Sequence, residues 1–178
     1  MASGAAGPNR MLALAGIQAG MAGALVLLAY LALDSIWHRR SIWTVANLLA
    51  STFYGEAAYR QSFGLRTGAG LALAFVIYGL LGLLFGLIVR DYGTVARGTL
   101  LGLIYGTAWF FLSFDWIWKH VNPMVALYSP DRAMLIGHLL YGGVMGGSFP
   151  VHRTGVRDAP PEIQPPLLPT EPPTPGES

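Results

Sequence analysis

Three ionisable residues sit where an apolar chain makes them costly: Asp34, Asp115 and His138. Asp34 and Asp115 each lie about one helical turn inside the aromatic end of an apolar run, and a carboxylate there is expensive unless it is paired or reaches water. As a pair they could hold a proton or a cation on the wall of a cavity. The simpler reading gives each a neighbouring base, Arg39 or Arg40 for Asp34 and Lys119 for Asp115. His138 follows Gly137 well inside an apolar segment, where it could relay a proton or ligate a metal or a haem. A haem would lack a second axial histidine, because His38, His120 and His152 all fall near helix ends. A metal needs converging ligands, and no tight His/Glu cluster occurs. The simplest use of His138 is an interhelical hydrogen bond to a tyrosine or a backbone carbonyl. Glu56 and Arg60, four apart, read as a surface ion pair. No catalytic residue, metal or cofactor is expected.

The elements that must position these residues are membrane helices. Apolar runs at 11–33, 71–89, 100–118 and 134–149 dominate a chain of 178 residues that is 53% hydrophobic and 11% charged. A soluble domain carries about 25% charged residues, and a hydrocarbon core of about 30 Å needs roughly 20 apolar residues of helix. The expected fold is all-α and polytopic, with four transmembrane helices at about 11–37, 68–89, 95–118 and 132–148. Between the first two, Ile42, Val45, Leu49, Phe53 and Ala57 recur at helical spacing, so 43–60 reads as an interfacial or partly re-entrant amphipathic helix rather than a fifth span, which Glu56 and Arg60 would leave too short. Residues 1–10 read as a disordered lead-in and the proline-rich 151–178 as a disordered tail. The first run outlasts a signal-peptide core, so it is expected to be a retained helix. There are no cysteines, which excludes disulfides and thiolate chemistry. A net charge of +2 without a basic stripe gives no footing for a nucleic-acid partner.

Glycines recur at small-x-x-x-small spacing: Gly16 and Gly20 in the first helix, Gly98, Gly102 and Gly106 in the third. Such stripes let helices approach closely, within the chain or through a homo-oligomer or larger membrane complex. An internal echo accompanies them. Asp34-Ser-Ile-Trp37 resembles Asp115-Trp-Ile-Trp118, and Tyr78-Gly79 resembles Tyr141-Gly142, each tyrosine being followed twelve residues later by an arginine. Two hairpins of like orientation would follow. Against this, apolar sequences match cheaply, and the glycines do not keep register with the Asp-x-Ile-Trp element.

The segment Asn122-Pro-Met-Val-Ala-Leu-Tyr128, followed by Gly137-His138-Leu-Leu-Tyr141-Gly142, resembles YagU-like proteins of bacterial inner membranes, which have a similar Gly-His step. The resemblance covers about a fifth of the chain and implies a multi-pass inner-membrane protein without naming an activity. With four spans, Arg10, Arg90, Arg97, Arg153 and Arg157 face one side, and Arg39, Arg40, Arg60, Arg66, Lys119 and Arg132 the other. That balance does not orient the chain by its positive charges; cytoplasmic termini are expected because the polar tail then stays untranslocated. Three functions compete. A non-enzymatic structural or accessory membrane component leads, ahead of a small transporter or channel using Asp34, Asp115 and His138. A lipid-acting intramembrane enzyme comes last.

Overall fold

The fold comes from a computed structural model that describes residues 8–90 and 94–157, the last seven by backbone alone. Among the described residues it is helical without strands. Helix α1 spans Pro8–Trp37, α2 Thr44–Tyr54, α3 Glu56–Tyr59 and α4 Leu65–Val89. Helix α5 (Val95–Phe111) runs through a π-helical stretch, Leu112–Ile117, into α6 (Trp118–Val121). The short α7 (Pro123–Tyr128) and the long α8 (Asp131–Arg157) complete the described residues. Among the described residues, three stretches are long and apolar enough to cross a membrane: Asn9–Trp37, Leu65–Val89 and Val95–Val121. The chain is an all-helical integral membrane protein.

The elements depart from the sequence expectation at particular residues. Residues 8–10 belong to α1, because Pro8 is tolerated in a first turn that lacks N–H acceptors anyway. The amphipathic segment is two helices, divided where Gly55 takes φ +62° and its N–H closes α2 on the Ser51 carbonyl. Helix α2 also does more than float at an interface. It buries Ala46, Asn47, Leu48, Ala50 and Ser51, and Gly70 of α4 lets the backbone at Ala46 and Ala50 come into contact. Helix α8 does not stop before Pro150 but continues to Arg157. A proline removes one ladder hydrogen bond, yet the adjacent Phe149 is buried against Phe85, ring centroids 6.0 Å apart, and holds that turn. The expected tail over 158–178, the lead-in over 1–7 and the turn at 91–93 lie outside the described residues.

Helices α1 and α5 run antiparallel to α4 and α8. The seams are built of glycine. In the α1/α4 seam the backbone of Gly82 packs on Gly16 and Gly20, Gly20 on the Tyr78 carbonyl, and Gly86 on the Leu12 carbonyl. In the α5/α8 seam Gly142 packs on Gly102 and Gly106, Gly106 on the His138 carbonyl, and Gly146 on the Gly98 carbonyl. These are the same contacts in the same register, shifted by 86 residues on the first helix of each hairpin and 60 on the second. Across the π stretch, which accommodates one extra residue, buried Leu27 and Leu31 correspond to buried Phe114 and Trp118. The two hairpins are therefore built alike. The register differs from the sequence echo: Tyr78 corresponds to His138 rather than Tyr141, and Asp34 does not correspond to Asp115. Acid beside tryptophan recurs near the ends of both helices, but those residues are not equivalent in register.

The two hairpins meet asymmetrically. Between α1 and α8, Gly23 abuts Tyr141 and Gly137 meets Leu27, Tyr30 and Leu31, so those helices pack along their length. The corresponding positions between α5 and α4 are Trp109 and Ile77, and there the backbones stay apart. Large side chains bridge that gap, with Phe85 and Tyr105 rings 5.5 Å apart.

Candidate functional site

The asymmetry leaves a cavity in the middle of the bundle. Leu27, Leu31, Ile77, Trp109, Phe114 and Met134 form its walls, and Leu48 of α2 with Val125 of α7 cover its aromatic end. It encloses about 30 Å³, room for one or two waters. His138 and Tyr78, the corresponding residues of the two hairpins, both line it.

His138 is 1% exposed and flanked by the rings of Phe110 and Phe114 at 5.5 and 6.0 Å. Its Nδ1 lies 2.7 Å from the Met134 carbonyl, which can only accept, so Nδ1 carries the proton. Nε2 then accepts from the Tyr78 hydroxyl at 3.1 Å. The Tyr141 hydroxyl donates to the Tyr78 carbonyl at 3.0 Å, and the Tyr105 hydroxyl to the Leu81 carbonyl at 3.1 Å. This layer ties α4, α5 and α8 together in the middle of the bundle. Chemically it is a dead end for a proton, because a carbonyl offers no onward site. A metal would have to displace Tyr78 from the ring lone pair. No group of three metal-ligating side chains occurs among the described residues.

No protein-family model, curated protein or solved structure matches this chain. The site is therefore read from its geometry alone.

The structure does not bring the two aspartates to His138. Asp34, with its side chain 13% exposed, binds Arg40 Nη2 through Oδ2 at 2.8 Å, while His38 Nδ1 bonds the Asp34 backbone carbonyl at 2.9 Å and lies 3.3 Å from Oδ1. Asp115 projects from the π stretch, 66% exposed, with Lys119 Nζ at 3.3 Å. Neither lines the cavity. Glu56 and Arg60 form an exposed pair on α3 and its cap. The consequence is measurable. Asp34→Asn is expected to cost about 1–2 kcal/mol, the discounted value of a partly exposed charge-assisted bond. Asp115→Asn should stay within about 0.5 kcal/mol. Thermal melting of both variants in detergent checks the difference.

Several polar residues that organise the aromatic end are not evident from residue type and spacing. The Asn47 amide donates to the Gln61 carbonyl at 2.8 Å and its Oδ1 accepts from the Thr67 hydroxyl at 2.6 Å. The Asn122 amide donates to Ser51 Oγ at 2.9 Å and Thr52 Oγ1 at 3.0 Å, while its Oδ1 caps α7 at the Met124 N–H. The Asn-Pro step marks the second as a helix cap. Nothing local marks the first, whose partners lie 14 and 20 residues away.

Proposed function

We propose that this chain is a four-span integral membrane protein that serves as a non-enzymatic structural or accessory component, with both termini on the cytoplasmic side. The fourth span is α8. Its glycines, His138 and Tyr141 dilute its apolar character, but it packs along both α1 and α5, each long and apolar enough to cross a membrane. A helix held along two spanning neighbours crosses the same slab, and its outward residues Ile136 and Leu140 suit lipid. The observation that carries the non-enzymatic reading is the closed polar layer: both ring nitrogens of His138 are engaged within the chain.

The glycine stripes are occupied by the chain's own helices. Any partner subunit is therefore expected on the outward apolar faces, such as Leu80, Leu84 and Ile88 of α4. A transport reading draws support from the repeated hairpins, since repeat interfaces at mid-membrane are where transporters bind substrate.

Two measurements test the proposal. Because the chain has no cysteine, single cysteines report sidedness cleanly. Cysteines at Asn9 and Thr94, and a reporter fused after residue 178, should share one side, with Ser41 and Leu127 on the other. A reporter on the Ser41 side would refute the fourth span. For the role, membranes solubilised gently should yield an assembly larger than the 19.1 kDa chain, released by polar substitutions at Leu80 and Leu84. A monomer whose liposomes pass protons or ions, with flux lost in His138→Gln, would replace this reading with transport.

A further inference from the structure

At the aromatic end, a pocket of about 300 Å³ is lined by Arg40, Ser41, Thr44, Asn47, Tyr59 and Gln61. Its chemistry is dominated by donors. Arg40 Nε and Gln61 Nε2 are both buried with no hydrogen-bond partner, and donors of this kind are normally satisfied. The Ser41 hydroxyl accepts from the Trp43 N–H at 3.3 Å and keeps its own proton to give. Thr44 and Asn47 are committed elsewhere, to the Ser41 carbonyl and to Gln61 and Thr67. They shape the pocket rather than compete for a ligand. Asn47 in particular fixes the Gln61 backbone against α2.

The local fold presents Arg40 deliberately. Arg39 takes φ +54°, reversing the chain after α1, so that the Arg40 N–H closes on the Ser35 carbonyl at 2.7 Å. The side chain then turns back to Asp34, which holds one terminal nitrogen and leaves the Nε edge without an acceptor. The pocket also lies at a defined depth. Trp37, three residues before Arg40, is 85% exposed, and the Trp43 and Phe63 rings pack tilted with centroids 4.7 Å apart. Such amphipathic rings sit at the headgroup level of a bilayer.

We propose that this pocket binds a phosphate group, with the Arg40 Nε and Gln61 Nε2 N–H groups and the Ser41 hydroxyl donating to its oxygens after a small turn of the Arg40 and Gln61 side chains. A guanidinium N–H, a carboxamide N–H and a hydroxyl on the lining of one pocket are suited to an anion. Asp34 opposes it by holding part of the Arg40 charge. The sign of each substitution follows from that geometry. Arg40→Gln and Gln61→Glu weaken phosphate binding at least tenfold, whereas Asp34→Asn strengthens it. Arg60→Gln, on the exposed pair with Glu56, leaves it unchanged.

The phosphate has two sources, a lipid headgroup or a soluble phosphate, and the test separates them. The full chain in neutral nanodiscs is titrated with inorganic phosphate, followed by ³¹P NMR. In parallel, phosphatidic acid is added to the discs and retained lipid is counted by native mass spectrometry. Retention of phosphatidic acid alone, lost in Arg40→Gln and Gln61→Glu, assigns a headgroup. Binding of inorganic phosphate with the same losses assigns a soluble ligand. Gln61→Glu, which keeps the Asn47 bond to the backbone, carries the test if Arg40→Gln fails to fold. No binding in either arm, or binding indifferent to Gln61→Glu in a variant that melts like the parent, overturns the proposal.

Discussion

Gly102→Leu is expected to abolish accumulation of folded protein, and Gly102→Ala to cost about 2–3 kcal/mol. A Cβ built at Gly102 runs into the Gly142 carbonyl and the Gly146 Cα, and backbone cannot swing aside as a flexible side chain can. To admit it, α5 and α8 must separate. The same separation breaks the contacts at Gly98 with Gly146 and at Gly106 with the His138 carbonyl. A native protein is stable by only about 5–15 kcal/mol in total, so a leucine at this level exceeds what the seam can absorb. The like-built hairpins add a second expectation. Gly16→Ala meets Gly82 as Gly102→Ala meets Gly142, so the two alanine variants should lose similar stability. Gly68, with open space around its missing Cβ, is the control. Alanine there should be neutral or slightly stabilising, because glycine is the weaker helix former by about 1 kcal/mol. Membrane abundance and melting in detergent report all four variants. An unchanged melt for Gly102→Leu would mean that this seam is not packed as described.

That packing also explains how much was readable from residues alone. Helix positions and the glycine stripes are local signals: a long apolar run and a four-residue spacing need no knowledge of the fold. Which stripe meets which is not local. Gly16 and Gly82 are far apart in sequence, and nothing at either position names the other. The candidate site shows the same division. His138 stands out as an ionisable residue in an apolar helix, and its bond to Tyr78 of α4 is an interhelical one of the kind expected, while its bond to the Met134 carbonyl stays within α8. Its correspondence with Tyr78 depends on helix register, which the repeated aspartate–tryptophan composition disguised. Asp34 and Asp115 look alike in sequence but differ in surroundings, one clamped by Arg40 and the other open. The donor pocket was invisible for a related reason. Gln61 enters it only because Asn47 anchors the connection after α3, a contact across 14 residues.

Removing either partner of the central hydrogen bond is expected to cost more than its share of removing both. In His138→Leu the Tyr78 hydroxyl loses its acceptor in a cavity whose walls are apolar apart from Ser129, and in Tyr78→Phe the His138 Nε2 lone pair is left without a donor. A buried polar group stranded in this way is penalised, by less than in a water-soluble protein because the state unfolded in the membrane also finds it partners. Neither change disturbs the rest of the layer, because Tyr141 binds the Tyr78 backbone carbonyl rather than its side chain. Met134 likewise loses only a second donor, since its carbonyl lies four residues before His138 in α8 and remains in the helical ladder. The double variant strands neither group. Its destabilisation should fall short of the sum of the singles by about 0.6 kcal/mol, and by no more than about 1.7, the scale of hydrogen-bond coupling between membrane helices. Equilibrium unfolding of the parent, both singles and the double in mixed micelles measures that difference directly. Strict additivity would mean that Tyr78 and His138 do not bind each other in the membrane. The pair would then be free to contact a ligand or carry a proton, and the case for a closed, non-catalytic core would fail with it.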